Sequence, residues 1–276
     1  MNGKSAGKSM KLTVIAAIGI VTAAAAIVCL YRFTGVFTPK ITEKRVAQKM
    51  DIREPKWVEK LIEDTVPSFK KDFPIYSAFS VSGGRYFVTH VYATRAGLED
   101  VRAHYKGVLE NPRAAEKNDV AVLGLDGEAA GRKVSIQNFF SEVSNLIQVE
   151  MEISGGYADQ IWRKVNDAFP ERALAAAPEI AAFAGGESTE GYIMWNFDDY
   201  ADDFYASLPI YSRAYPFNGT REELEQKINA LGESFANMAA AGRGMAKISD
   251  ANWLYQVNAL ENKTGVKVVL IIQEKA

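Results

Sequence analysis

Hydrophobic and polar residues alternate along several short stretches of the chain, most regularly between residues 145 and 153. Val149 and Met151 alternate there with Gln148, Glu150 and Glu152. Because successive side chains of a strand point to opposite faces, this pattern predicts a strand with one buried and one solvent-facing side. The same reasoning predicts strands at residues 74–81, 85–93, 120–125, 133–140, 191–197, 208–215, 244–249, 253–260 and 266–273.

Four other stretches carry apolar residues at the three- and four-residue spacing of an amphipathic helix, and they begin near residues 55, 94, 161 and 220. Thr220 and Glu223 have the spacing of a capping box, which predicts the start of the last of these helices. Gly83 and Gly84 separate two predicted strands and indicate a hairpin turn.

The order of these elements predicts an α+β fold with two related halves. Residues 55–155 contain a helix, two strands, a helix and three strands, and residues 156–276 repeat this order. A local echo favours duplication, since Thr94-Arg95-x-x-Leu98 resembles Thr220-Arg221-x-x-Leu224. We therefore predict two tandem αββαβββ domains, 55–155 and 156–276, whose antiparallel sheets are covered by helices.

The segment of residues 12–31 contains no charged residue and no proline. About 20 residues at a rise of 1.5 Å cross a hydrocarbon core of about 30 Å, so this segment predicts a transmembrane anchor. Lys4, Lys8 and Lys11 place the arm of residues 1–11 in the cytoplasm, followed after the anchor by a stalk of residues 32–54. The expected localisation is a single-pass membrane protein with an extracytoplasmic, periplasmic bulk. Signal-peptide cleavage near residues 23–26 and lipoprotein processing at Cys29 are the alternatives.

The composition is that of a folded protein, with 48% hydrophobic and 24% charged residues. Cys29 is the only cysteine and lies in the predicted anchor, so the folded region has no internal disulfide. All of the acidic residues lie beyond residue 33, which makes the folded region acidic and argues against nucleic acid as its main partner.

We predict no catalytic residue, no cofactor and no metal from the motifs. Residues 2–9 resemble a phosphate-binding loop, but Asn2 replaces its first glycine and no strand precedes it. The acidic run of residues 198–203 lacks the glycine and final glutamate of an EF-hand loop. His90 and His104 have no cysteine and no second histidine four residues away, so we interpret both as structural.

Aromatic residues are concentrated between residues 192 and 217 and are interleaved with acids. Such a mixture is typical of protein-binding surfaces, so Trp195, Tyr200, Phe204 and Tyr205 are the predicted partner-binding residues. The alternative is that these rings form the core of the second domain.

The leading functional hypothesis is a membrane-anchored, non-enzymatic envelope protein that acts through protein–protein binding, assembly or self-association. A second hypothesis is a binding module for a lipid, glycan or other small ligand, which an enclosed pocket would favour. A third is a hydrolase, which carboxylates with raised pKa values beside a cleft would favour.

Overall fold

The strands of both halves of the chain join into one antiparallel sheet. The structure is a computed structural model, and it describes residues 40–115, 123–140, 145–188, 190–197, 208–234, 239–240, 244–263 and 265–275. Its strands are β1 (Phe73–Ser82), β2 (Arg85–Thr94), β3 (Glu110–Ala114), β4 (Gly124–Ala129), β5 (Arg132–Phe140), β6 (Asn145–Ile153), β7 (Glu190–Asn196), β8 (Pro209–Pro216), β9 (Ala239–Ala240), β10 (Met245–Ser249), β11 (Trp253–Asn262) and β12 (Gly265–Glu274). Their order across the sheet is β3-β4-β5-β6-β2-β1-β7-β8-β12-β11-β10-β9.

The joint between the two halves is the antiparallel pair of β1 and β7, in which Tyr76 lies opposite Asn196 and Val81 lies opposite Gly191. The prediction of two tandem domains with separate sheets is therefore wrong. Residue 155, the predicted boundary, lies between the end of β6 and the next helix and does not separate two sheets. Alternation of residue types identifies strands but carries no information about which strands pair over such a sequence distance.

The helices pack on one face of this sheet. They are α1 (Glu43–Lys49), α2 (Lys56–Glu63), α3 (Leu98–Val108), α4 (Gly156–Asp167), α5 (Glu171–Ala176), α6 (Pro178–Ala181) and α7 (Arg221–Ser234). Helix α2 contributes Trp57 to the core, and the Trp57 ring lies 5.9 Å from the Phe79 ring of β1 and 6.4 Å from the Trp195 ring of β7. A helix from the first half thus covers the β1–β7 joint.

Two local predictions concern helix ends. The capping box is confirmed, because the Thr220 amide donates to Glu223 Oε2 at 2.9 Å and the Glu223 amide donates to Thr220 Oγ1 at 3.2 Å. Residues 43–49 lie inside the predicted stalk but form α1, which buries Val46 and Ala47. Arg132 of β5 fixes this helix through a two-bond ion pair with Glu43, each bond 2.7 Å long.

The predicted membrane-spanning helix needs correction. Within the part of the chain that the structure describes, no helix is both long enough and apolar enough to cross a membrane. The apolar segment of residues 12–31, on which the transmembrane, signal-anchor and single-pass assignments rested, lies outside the described residues.

Candidate functional site

A cleft of about 440 Å³ opens on the face of the sheet opposite the helices, over strands β2 to β6. The alternation in β6 explains its character, because Val149 and Met151 face the core while Glu150 and Glu152 face the cleft. We call this site the acidic cleft. Its charged lining consists of five carboxylates and two basic side chains: Glu110, Asp126, Glu128, Glu150, Glu152, Arg113 and Lys133.

Antiparallel register brings the polar groups of the acidic cleft into a row across the strands. Glu150 lies opposite Thr89 of β2 on one side and Ser135 of β5 on the other. Ser135 in turn lies opposite Asp126 of β4, which lies opposite Arg113 of β3. Neighbouring strands are about 4.8 Å apart, so the row presents a polar side chain at each such step.

A β-bulge shapes the outer wall of the acidic cleft. The register between β3 and β4 shifts between Glu110 and Arg113, and Asn111 inside the bulge has a φ of 50°. Gly127 of β4 permits the close approach, because a Cβ there would lie 3.0 Å from the Glu110 carbonyl oxygen. Bulges redirect side chains at sheet edges, and Asn111 lines the cleft here.

Glu150 is the electrostatically unusual group of the acidic cleft. Burial raises the pKa of its carboxyl, although a hydrogen bond from Thr89 and the charge of Arg85 act in the opposite direction. Glu152, by contrast, lies 3.7 Å from Arg85 and 3.8 Å from Lys133. Among the described residues, no ion pair engages Glu150. The cleft therefore contains a half-buried carboxylate whose charge is poorly compensated.

The aromatic prediction is only partly covered by the structure. Trp195 is fully buried, and its indole N–H donates to the Arg53 carbonyl oxygen at 3.0 Å. The core alternative therefore applies to Trp195. Tyr200, Phe204, Tyr205 and the acidic run of residues 198–203 lie outside the described residues, so their role in partner binding stays a prediction.

A second cluster of polar side chains lies between α2 and β2, on the helix side of the sheet. One ring nitrogen of His90 and one carboxylate oxygen each of Glu59 and Glu63 lie within 4.8 Å of one another. Lys71 forms ion pairs with both carboxylates, at 3.2 Å for Glu63. Burial lowers the pKa of His90, and Lys71 acts in the same direction, while the two glutamates oppose the shift.

Motif reasoning missed both sites for the same reason. The acidic cleft depends on strand register, and the cluster around His90 depends on how α2 packs on β2. A usable signal for the second was the four-residue spacing of Glu59 and Glu63, which places both carboxylates on one side of a helix.

Comparison with known proteins gives no family for this chain. No family model matches the chain, and no curated protein matches it. The crystal structure of DynU16, a protein of the dynemicin biosynthetic locus, is 11% identical over 85% of this chain and 83% of its own, with a TM-score of 0.13. A likeness at that level carries no argument about fold or function.

Proposed function

We propose that this protein is a binding module for a small organic cation, such as an amine, which it holds in the acidic cleft. The observation that carries the proposal is the half-buried Glu150 carboxylate, which has no ion pair among the described residues and lies in a row with Ser135 and Asp126. The cleft volume of about 440 Å³ falls in the range of about 300–1,000 Å³ that is usual for small-ligand sites.

The energetic reason for binding is the incomplete compensation of charge. Burying a carboxylate that has no ion pair is unfavourable, and a cationic ligand next to Glu150 would relieve that cost. Glu110 lies directly opposite Glu128 across β3 and β4, a like-charge arrangement that is unfavourable in a sheet. A cation in the cleft would reduce this repulsion as well.

The ligand is expected to have an apolar part in addition to its charge. Phe87 lines the acidic cleft, and the guanidinium of Arg85 lies 5.2 Å from the centre of the Phe87 ring. The Phe87 ring, which already contacts the Arg85 guanidinium, can also contact the alkyl chain or the ammonium group of a bound ligand. The hydroxyl group of Ser135 and the amide group of Asn111 are available to orient the ligand by hydrogen bonds.

The test is isothermal titration of the full-length chain with putrescine and choline, with glucose and acetate as neutral and anionic comparisons. We expect binding of a cation only, and at least a tenfold loss of affinity in Glu150→Gln. Glu261→Gln, at an exposed position of β11, is the matched control and should bind as the wild type does. Equal affinity in the wild type and Glu150→Gln, or no binding of either cation, would refute the proposal.

A second candidate function, hydrolysis by paired carboxylates, is favoured by one observation. A raised pKa is the property of a general acid, and Glu150 has it. Asp126 lies two strands away in the same row, or about 9.6 Å between strand axes, which is just above the separation of about 6.5–9.5 Å between the carboxyl groups of inverting glycosidases. Release of nitrophenol from nitrophenyl glycosides that disappears in both Glu150→Gln and Asp126→Asn would establish this function over simple binding.

A further inference from the structure

His90 carries a buried nitrogen that has no hydrogen-bond partner within the described part of the chain. Its side chain is fully buried on β2, and this nitrogen is Nε2. The other ring nitrogen, Nδ1, lies 3.0 Å from the hydroxyl oxygen of Ser77, on the neighbouring strand β1. A buried polar atom without a partner is costly, so its presence in a folded core calls for a ligand or another reason.

The side chains around the His90 ring resemble the donor set of a transition-metal site. Glu59 and Glu63 are four residues apart on α2, and each offers an oxygen within 4.8 Å of the other ligand atoms. In metal sites a histidine is usually oriented through its second ring nitrogen, as Ser77 does here at Nδ1. Nitrogen and carboxylate oxygen together suit Zn²⁺, whereas Mg²⁺ and Ca²⁺ prefer oxygen alone.

In the structure, the ammonium group of Lys71 supplies the positive charge next to Glu59 and Glu63. Its ammonium contacts both carboxylates, and its side chain is 25% exposed, so it can move towards solvent. Glu59 and Glu63 are also partly exposed, at 29% and 28%, which leaves a route from solvent to the cluster. Both carboxylates therefore remain reachable for an ion that displaces the ammonium.

We propose that Glu59, Glu63 and His90 form a site for a divalent transition metal, best filled by Zn²⁺, and that the Lys71 ammonium takes the place of the metal in the metal-free protein. Ligand atoms around a tetrahedral zinc with bonds of about 2.1 Å are about 3.4 Å apart. The present limit of 4.8 Å therefore requires a contraction of at most about 1.4 Å, within reach of rotation about the glutamate side-chain bonds. A water molecule would complete the four ligands.

The test is titration of the full-length, chelator-stripped chain with zinc against a colorimetric zinc indicator, with magnesium as the comparison ion. We expect one equivalent of zinc to bind and magnesium not to bind. Glu63→Gln should lower the zinc affinity at least tenfold, because one charged ligand is lost. Lys71→Gln should raise the affinity at least tenfold, because the competing ammonium is gone and the two carboxylates lack a cation.

Two control variants make the result specific. His104→Ala removes the only other histidine, and Glu150→Gln changes the acidic cleft, so both should leave the zinc affinity unchanged. His90→Asn alters a fully buried side chain, so a loss of zinc binding in that variant would not separate metal ligation from misfolding. The glutamate and lysine variants therefore decide the matter. No zinc binding, equal binding in Glu63→Gln, or loss of binding in His104→Ala or Glu150→Gln would overturn the proposal and leave the cluster as a Lys71 ion-pair network.

Discussion

Replacement of Trp195 by alanine tests the position of the β1–β7 joint. The side chain is fully buried, and truncating a buried tryptophan costs about 3–5 kcal/mol of unfolding free energy. Its indole N–H also donates to the Arg53 carbonyl oxygen, and losing that bond adds about 1 kcal/mol. We therefore expect Trp195→Ala to lower the free energy of unfolding by about 4–6 kcal/mol.

The assay is urea unfolding followed by far-ultraviolet circular dichroism, so that the loss of a fluorophore does not affect the signal. Trp195→Phe keeps most of the ring and loses the N–H donor, so it should cost only about 1–2 kcal/mol. Tyr157→Ala, at a 36% exposed aromatic residue, is the matched control and should change stability by no more than about 0.5 kcal/mol. If Trp195→Ala were as mild as Tyr157→Ala, Trp195 would be a surface residue and the joint described above would be incorrect.

Three further outcomes are expected. Burial raises the pKa of Glu150, so the folded protein binds the carboxyl proton more tightly than the unfolded chain does. The stability of the fold should therefore fall as pH rises through the raised pKa. Glu150→Gln should remove this pH dependence in thermal melts taken between pH 4 and pH 8. Burial tends to raise the pKa of Glu43, but hydrogen bonds from Arg132 bring the pKa below its ordinary value. The Glu43–Arg132 pair therefore stabilises the fold at pH values above the pKa of Glu43 in the unfolded chain, and this stabilisation is lost as pH falls through the lower pKa of the folded protein. Glu43→Gln should lower the free energy of unfolding by about 1–3 kcal/mol in urea at pH 7 and by less near pH 3. Thr220→Ala removes one bond of the capping box and should cost about 1 kcal/mol in the same assay, whereas Thr220→Ser should be nearly neutral.

Local structure was predictable where residue pattern and burial coincide. Residues 145–153 form strand β6 as predicted, although its buried positions alternate with half-buried ones and not with fully solvent-facing ones. Strand β3 (Glu110–Ala114) was not predicted because all of its residues are exposed and one of them is a proline. Its sequence therefore shows no alternation of hydrophobic and polar residues. The joint between β1 and β7 was missed because a strand's sequence does not specify a partner more than a hundred residues away.

The candidate sites were less predictable than the elements that carry them. Glu150 was assigned to the solvent-facing side of its strand, but its half-burial and raised pKa come from neighbouring strands. The sequence offers His90 no cysteine and no histidine four residues away, and it gives no sign that distant carboxylates approach the ring. Only the packing of α2 on β2 brings Glu59 and Glu63 to the same place as His90.

The bulged strand β3 also limits how far the sheet can extend. It is the outermost strand on its side, and an outermost strand is where a second chain could add by backbone hydrogen bonding. Pro112 has no amide hydrogen to offer, and Glu110 and Arg113 would bring charge into any such pairing. The bulge that shapes the acidic cleft thus lies in a strand poorly suited to edge-to-edge growth, so replacing Pro112 and both charges would be expected to expose the protein to fibre formation.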